Sequence, residues 1–184
     1  MSIATDRMTA DELLRLPRGT WRYELVNGAL HRMSPAGHTH GKVAARITAS
    51  MAPFVEQNEL GEIYAAETGF KIRQDPDTVR APDVAFVSAE RLERTEASPE
   101  GFFPGPPDLA VEVVSPGDSY SEVETKVSEW LQAGVRAVVV FDPRRKACTV
   151  YRPGTEVLFL AVTDTLTLPE LLPGWSLPLS QAFR

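Results

Sequence analysis

The hydrophobic and polar positions in the first third of the chain predict a short helix, a β-hairpin and a long helix. Residues Thr9-Ala10-Asp11-Glu12 form a capping box, which predicts a short helix over residues 13–16 that ends before Pro17. Hydrophobic and polar residues alternate over residues 21–26, and Asn27-Gly28 then favours the type I′ turn of a hairpin. Hydrophobic residues at helical spacing predict an amphipathic helix over residues 41–57, with a kink at Pro53.

The rest of the chain predicts further strands around a second long helix. Strands are predicted over residues 62–66, 69–74, 82–87, 108–115, 136–141, 147–151 and 156–162. Capping boxes that begin at Ser119 and Ser121 predict a helix that ends at Ala133-Gly134. The polar segment 88–107 is rich in Pro and Gly and is expected to be a flexible loop, whereas the tail 171–183 is expected to be an irregular strap.

These elements predict a mixed central sheet flanked by helices, with an N-terminal hairpin, in the α/β (mixed α+β) class. The strand–helix–strand unit over residues 108–141 is expected to be a right-handed crossover. The chain has 184 residues, of which 43% are hydrophobic, so we expect a single domain over residues 1–184 with its own core.

Composition excludes several classes of protein. The one cysteine, Cys148, excludes a framework of intramolecular disulfides and favours a reducing, cytoplasmic location. The N-terminal residues reach Asp6 before a hydrophobic run develops, and runs such as 137–141 are too short to span a bilayer, so no signal peptide or membrane helix is expected. With 19 Lys and Arg against 25 Asp and Glu, the net charge of −6 argues against binding nucleic acid through bulk positive charge.

Glu112 is a charged residue in a strand that is predicted to be buried. It interrupts the hydrophobic run 109–114, where an unpaired carboxylate would be costly or would take up a proton. Lys126 lies at the edge of the hydrophobic stripe of the next helix, three residues after Val123 and four before Trp130. The crossover packs that helix against the strand of Glu112, so the two charges are expected to converge. The alternative is that Lys126 extends past the stripe to water.

Asp83 is a second acidic residue at a sheet position. Pro82 suits the first residue of a strand, and Asp83 follows it on a strand that can be a neighbour of the strand of Glu112. A divalent cation such as Mg²⁺ or Mn²⁺ would stabilise both carboxylates as anions. Taken alone, an Asp at a strand edge is more often a turn or cap residue, and Glu24 in the hairpin is by default a solvent-facing strand residue.

The order of these residues resembles the PD-(D/E)xK nuclease superfamily and, more closely, the bacterial restriction-endonuclease-like family of the Uma type. The resemblance rests on Pro82-Asp83, on Glu112 within a Val-Glu-Val-Val-Ser-Pro run, and on Lys126 in the following helix. It continues through an ordered series of further segments, namely Tyr23-Glu24-Leu25-Val26-Asn27-Gly28, Ser34-Pro35 with His40, Ala133-Gly134-Val135, Phe141-Asp142-Pro143 and the tail from Leu172 to Leu179.

The resemblance implies a restriction-endonuclease-like core and the hydrolysis of phosphodiester bonds with Mg²⁺ or Mn²⁺ as cofactor. It implies that Asp83, Glu112 and the backbone carbonyl of Val113 bind the metal, and that Lys126 assists the attacking water. In the simplest superfamily pattern the lysine stands at the position of Val114. In the Uma-type pattern it has moved to the helix, which Lys126 matches.

The resemblance also bears on the outer parts of the site and on the partners. Glu24 matches an additional acidic residue of the family, and His40 matches a family position to which no chemical step is assigned here. The expected function is that of a DNA endonuclease, with a symmetric homodimer as a hypothesis drawn from relatives that cut both strands. Lys71 and Arg73 alternate on one strand and are either phosphate contacts or part of a solvated strand face.

Two other functions are compatible with the sequence. In one, His38-Thr39-His40 joins Glu24 or His31 in a transition-metal site. In the other, a nuclease-like fold binds nucleic acid or a protein partner without cleaving it, which suits the acidic net charge. Against an inactive module, all four expected positions hold chemically competent residues, namely Glu24, Asp83, Glu112 and Lys126.

Overall fold

The computed structural model describes residues 7–17, 21–65 and 68–184, which form thirteen strands and five helices. The helices are α1 (Ala10–Leu14), α2 (His38–Gln57), α3 (Ala89–Glu93), α4 (Tyr120–Gln132) and α5 (Leu179–Ala182). The strands are β1 (Arg22–Val26), β2 (Ala29–Met33), β3 (Gly61–Ala65), β4 (Phe70–Arg73), β5 (Thr78–Arg80), β6 (Val84–Ser88), β7 (Phe103–Pro104), β8 (Leu109–Val113), β9 (Ala137–Asp142), β10 (Ala147–Tyr151), β11 (Leu158–Leu160), β12 (Thr165–Thr167) and β13 (Ser176–Pro178). None of the described helices is both long and apolar enough to cross a membrane.

The larger sheet has six strands in the order β11-β10-β9-β8-β6-β3. Strands β8 and β9 are parallel, and the other neighbouring pairs are antiparallel. Helix α4 lies between β8 and β9 in the chain, so the predicted strand–helix–strand unit is present. The mixed sheet with few helices confirms the predicted α+β class.

Both faces of the six-stranded sheet are buried. Along β8, the side chains of Leu109, Val111 and Val113 enter one core cluster, while those of Ala110 and Val114 belong to the other, because successive strand residues point to opposite faces. The first cluster is completed by α2 and the C-terminal residues, and the second by α4, β4 and β7. A strand buried on both faces is hydrophobic at almost every position, which is the pattern seen in the sequence.

The smaller sheet has five strands in the order β2-β1-β5-β4-β7 and packs against α1 through Leu25, Val79 and Leu13. It is joined to the larger sheet through Phe70 of β4, which lies in the core cluster under α4 with its ring centroid 6.4 Å from that of Trp130. The two sheets therefore meet beside α4.

The N-terminal hairpin and the capping box are confirmed. Asn27 and Gly28 have φ angles of 51° and 78°, as the two central residues of a type I′ turn require. Thr9 and Glu12 make both reciprocal bonds of the capping box. The helix that follows covers α1, Ala10–Leu14, and therefore starts and ends earlier than predicted.

Other segments differ from the prediction. The polar segment 88–107 is more than a loop, since it contains α3 and β7. The tail is ordered as the hairpin β12–β13 followed by α5, with Leu172, Trp175 and Leu177 buried in the core. Helix α2 begins at His38 and continues through Pro53. Strand β5 was not predicted, because three residues are too few to show a period. The predicted strand end at Ala66 and the N-terminal residues 1–6 lie outside the described residues.

Asp108 connects α3 to the start of β8. Its carboxylate is buried and accepts hydrogen bonds from Arg91 Nε at 3.1 Å, Arg91 Nη2 at 3.0 Å and the backbone N–H of Ser88 at 2.8 Å. Burial alone would raise the pKa of Asp108, but these bonds outweigh it and hold the pKa below its ordinary value. A depressed pKa means that the carboxylate stabilises the fold above its unfolded pKa, and that this contribution is lost as the pH falls through the folded value.

We expect Asp108→Asn to lower the free energy of unfolding at pH 7 by about 2 kcal/mol, because the Arg91 guanidinium loses its charged partner. The deficit should shrink as the pH falls below about 4, where the wild-type carboxyl group also becomes neutral. Urea denaturation at several pH values measures this, with exposed Glu156→Gln as the control. A deficit that is independent of pH would contradict the interpretation.

Candidate functional site

A cleft of about 730 Å³ lies between the N-terminal hairpin, the segment before β6, the end of β8 and helix α4. The structure brings every residue of the predicted site to its wall, namely Glu24, His40, Asp83, Glu112, Val113 and Lys126. His31 and His38 are exposed and are absent from the described lining of the cleft. These six residues come from five separate segments, so only the fold assembles them.

Glu112 is a buried carboxylate, and its position follows from the alternation along β8. It lies on the face of Ala110 and Val114, which is the face covered by α4. There Oε1 accepts a hydrogen bond of 2.9 Å from the indole N–H of Trp130, and Oε2 lies 3.5 Å from Lys126 Nζ. The carboxylate that the hydrophobic run could not accommodate alone is therefore held by two donors from one helix.

Lys126 faces Glu112 and does not simply extend to water. The lysine side chain is 23% exposed, and the proximity of the Glu112 carboxylate is the main reason why its pKa is raised. Lys126 and Trp130 are four residues apart, one turn along the helix, so both reach the same carboxylate. The ammonium is thus held charged at the wall of the cleft.

Asp83 is fixed beside Glu112 by the pairing of β6 with β8. Its backbone N–H donates to the carbonyl of Val111 at 3.0 Å, and its Oδ2 accepts the backbone N–H of Val113 at 2.8 Å. Oδ2 also lies 3.0 Å from Nε2 of His40 at the start of α2. Asp83 lies immediately before β6 rather than on the strand as predicted, and these bonds give its carboxylate a defined orientation beside β8.

His40 contacts Asp83 directly, which gives this residue a place in the site. The hydrogen bond to Asp83 is the largest influence on the imidazole and raises its pKa, although burial opposes the shift. Its other ring nitrogen, Nδ1, is buried and has no hydrogen-bond partner among the described residues. The ring thus makes its one polar contact with the site carboxylate.

Glu24 is a buried residue, so the default expectation of a solvent-facing strand acid is wrong. It is 3% exposed, and its Oε1 accepts the backbone N–H of Ala81 at 3.1 Å. Its Oε2 lies 2.6 Å from Nη1 of Arg80. A carboxylate on the amphipathic hairpin is accommodated because the neighbouring strand β5 ends in an arginine.

Arg80 was not identified from the sequence, yet it connects the two halves of the site. Its Nη1 donates to Glu24, and its Nε donates to Oε2 of Glu129 on α4 at 2.8 Å. Glu129 lies one turn after Lys126 on that helix. The sequence places Arg80 just before Pro82-Asp83, and this position could have marked it as a site residue. The pattern around it does not predict β5 as a strand, so it was missed.

The site concentrates negative charge in a buried place. Burial, followed by the nearby carboxylates of Asp83 and Glu24, raises the pKa of Glu112 to about 7, although Lys126 and the Trp130 hydrogen bond act in the opposite direction. A divalent cation would relieve this repulsion, and carboxylate and carbonyl oxygens are the donors that Mg²⁺ and Mn²⁺ prefer.

No group of three or more His, Cys, Asp and Glu side chains close enough to hold a metal occurs within residues 7–17, 21–65 and 68–184. The alternative site built from His38-Thr39-His40 is therefore not formed, because the exposed His38 and the partly buried His40 do not converge. The set of Asp83, Glu112 and the Val113 carbonyl differs from such a group, since one of its donors is a backbone oxygen.

The two cations proposed as phosphate contacts already have partners in the hairpin region. Lys71 Nζ lies 3.0 Å from Asp77 Oδ2, and Arg73 Nη1 donates to Asn27 Oδ1 at 2.6 Å. Neither lines the cleft. These contacts hold β4 and the turn before β5 against the first hairpin.

The sequence profile of the Uma2 family, described as "putative restriction endonuclease", matches residues 10–180. The chain belongs to the Uma2 family. A similar solved structure is the crystal structure of "a putative nuclease belonging to DUF820" from Anabaena variabilis ATCC 29413, with a TM-score of 0.80 and 19% sequence identity over 96% of this chain and 97% of the other. This likeness confirms the predicted fold. No curated protein matches the chain.

In the absence of metal, the raised pKa of Glu112 makes the free energy of unfolding of this Uma2-family protein depend on pH. The folded state holds the proton more tightly than the unfolded state, so the free energy of unfolding falls as the pH rises from about 4.5 through about 7. Glu112→Gln has no proton to lose, so we expect it to be more stable than wild type at pH 8 in EDTA by about 1–3 kcal/mol, and similar at pH 5. Urea denaturation at both pH values measures this, with exposed Glu56→Gln as the control. Equal pH dependence in Glu112→Gln and wild type would contradict it.

The Arg80 bridge leads to a second prediction for the Uma2-family protein. We expect Arg80→Lys to lower the free energy of unfolding by about 2 kcal/mol, because an ammonium cannot bridge the Glu24 and Glu129 carboxylates as a planar guanidinium does. The matched control is Arg94→Lys, which alters an exposed ion pair with Glu90 and should cost less than about 0.5 kcal/mol. If urea denaturation gave similar losses in the free energy of unfolding for the two substitutions, the Arg80 bridge would contribute no more than an exposed ion pair.

Proposed function

We propose that this protein is a metal-dependent phosphodiesterase, and specifically a DNA endonuclease that uses Mg²⁺ or Mn²⁺. The observation that carries the proposal is the buried Glu112, which is held between Lys126 and Trp130 on one side and faces the carboxylates of Asp83 and Glu24 in an open cleft. Membership of a family described as restriction endonucleases supports the same chemistry.

The metal would be held by Asp83, Glu112 and the backbone carbonyl of Val113. All three are oxygen donors, with Asp83 immediately before β6 and with Glu112 and Val113 on the adjacent strand β8, and the repulsion between the two carboxylates in the free protein favours the uptake of a cation. When bound, a divalent cation supplies neutralising charge for a phosphodiester and makes a water molecule more acidic.

The protein's own groups would then orient the reactants. Lys126 carries a positive charge at the wall of the cleft, where it can donate a hydrogen bond to the attacking water or to a phosphate oxygen on which charge develops. His40 keeps Asp83 in one orientation through the 3.0 Å contact. Glu24 adds negative charge to the same cleft and is itself fixed by Arg80.

A module that binds nucleic acid without cleaving it is the second candidate, and the acidic net charge of −6 favours it. The two functions differ in two requirements that can be measured. Both allow binding of nucleic acid, but only the enzyme needs Lys126 for turnover and needs a divalent cation.

We expect Lys126→Met to reduce the cleavage of plasmid DNA in Mg²⁺ or Mn²⁺ by at least about 100-fold, because the charge that orients water or stabilises the phosphate is removed. The fold should be kept, since the methionine retains much of the packed stem. Exposed Lys42→Met on α2 is the matched control and should cleave like wild type. Glu112→Ala and addition of EDTA should each abolish cleavage.

Two results would contradict the proposal in different ways. Cleavage by Lys126→Met at the wild-type rate would remove Lys126 from the mechanism. The inactive binding module would be favoured if the wild-type protein cleaves no DNA and calorimetry also detects no site-specific binding of Mg²⁺ or Mn²⁺. Site-specific binding here means binding that Asp83→Ala abolishes.

A further inference from the structure

The cleft has an apolar wall in addition to its charged residues. Leu14 of α1, Trp21 before β1, Met33 at the end of β2 and Phe102 before β7 all line it. Leu14 and Trp21 are 46% and 41% exposed, although large hydrophobic side chains are usually buried. The apolar wall is continuous with the proposed catalytic residues, because one cavity contains both.

Trp21 is the central feature of the apolar wall. The guanidinium carbon of Arg32 lies 3.8 Å from the centroid of the Trp21 ring, which holds the indole in place by a cation–π contact. Trp21 lines the cleft, whereas Arg32 is absent from its described lining. The chain's other two tryptophans, Trp130 and Trp175, are buried in the core.

The charges of the cleft do not suit a long duplex. Among the described lining residues, the cations are Arg22 and Lys126. The acidic residues of the lining are Glu24, Asp83, Glu112 and Asp118. Binding along a duplex backbone requires a row of Lys and Arg, whereas an unpaired base can bind through its π-face to an aromatic side chain without such a row.

We propose that the apolar wall binds an unpaired nucleobase through stacking on Trp21, so that the substrate is single-stranded or locally unpaired nucleic acid. This inference rests on the proposed function, because the phosphodiester beside that base would lie over the carboxylates. A cleft of about 730 Å³ is large enough for a nucleotide, since small-molecule sites are typically about 300–1,000 Å³.

The test measures binding and cleavage separately on the full chain. Binding in EDTA, where no cleavage is expected, is followed by the anisotropy of short fluorescent oligonucleotides: unpaired DNA, unpaired RNA, the same DNA as a duplex, and a strand of base-free tetrahydrofuran units. We expect wild type to prefer the unpaired strands to the duplex and the base-free strand. The DNA and RNA arms distinguish the two sources of the base.

Three substitutions isolate the aromatic face. Trp21→Leu keeps a hydrophobic side chain but removes the π-face, and it should weaken binding of unpaired strands by about 5- to 100-fold. It should leave binding of the base-free strand unchanged. Trp21→Phe should restore most of the affinity. Phe159→Leu, at an exposed aromatic outside the cleft, is the matched control and should bind like wild type. Equal thermal midpoints confirm that the variants are folded.

Several results would overturn the inference. Equal losses on unpaired, duplex and base-free strands would mean that Trp21 only supports the hairpin. Unchanged binding together with a change of oligomeric state in Trp21→Leu would assign the wall to a second copy of the chain.

The cleavage assay distinguishes this inference from the proposed function. Wild-type protein that binds unpaired strands through Trp21 but cleaves none of them would overturn the proposed function and support the base site. Cleavage that is equal for unpaired and duplex DNA and unaffected by Trp21→Leu would support the proposed function and overturn the base site.

Discussion

The buried guanidinium of Arg80 is the interaction on which the geometry of the cleft depends. It lies between Glu24 on the first hairpin and Glu129 on α4, so one side chain connects the five-stranded sheet to the helix that carries Lys126. Without that cation, the buried Glu24 carboxylate and the half-buried Glu129 carboxylate would lack their charged partner, which is strongly destabilising away from water. The relative positions of the hairpin and α4 therefore follow from a charge balance as well as from packing.

The same balance explains why the site can remain negatively charged. Every carboxylate in it has a specific donor, with Trp130 and Lys126 for Glu112, the Val113 N–H and His40 for Asp83, and Arg80 for Glu24. These donors orient the oxygens but do not cancel the burial and the repulsion from Asp83 and Glu24 that together raise the pKa of Glu112. In the absence of a cation, this arrangement of carboxylates therefore lowers the stability of the fold, and a bound cation would relieve that loss.

The sequence predicted the parts of this arrangement that depend on local patterns. A turn such as Asn27-Gly28 is specified by two residues, and Glu112 was identified because a carboxylate in a hydrophobic strand needs a partner. The partners themselves were only partly predictable. Lys126 follows from helical spacing and the crossover, but the indole of Trp130 has the same hydrophobic signal whether or not its N–H meets a carboxylate.

Long-range contacts were beyond local patterns. Arg80 lies on a three-residue strand with no detectable period, and its partners Glu24 and Glu129 are 56 and 49 residues away. The burial of Glu24 depends on that pairing, so an isolated hairpin predicts the opposite exposure. Glu24 follows Trp21 by three residues, so the Arg80 bridge that holds Glu24 also anchors the strand next to the indole. Electrostatic pairing in the interior thereby contributes to placing the apolar wall in the same cleft as the proposed catalytic residues.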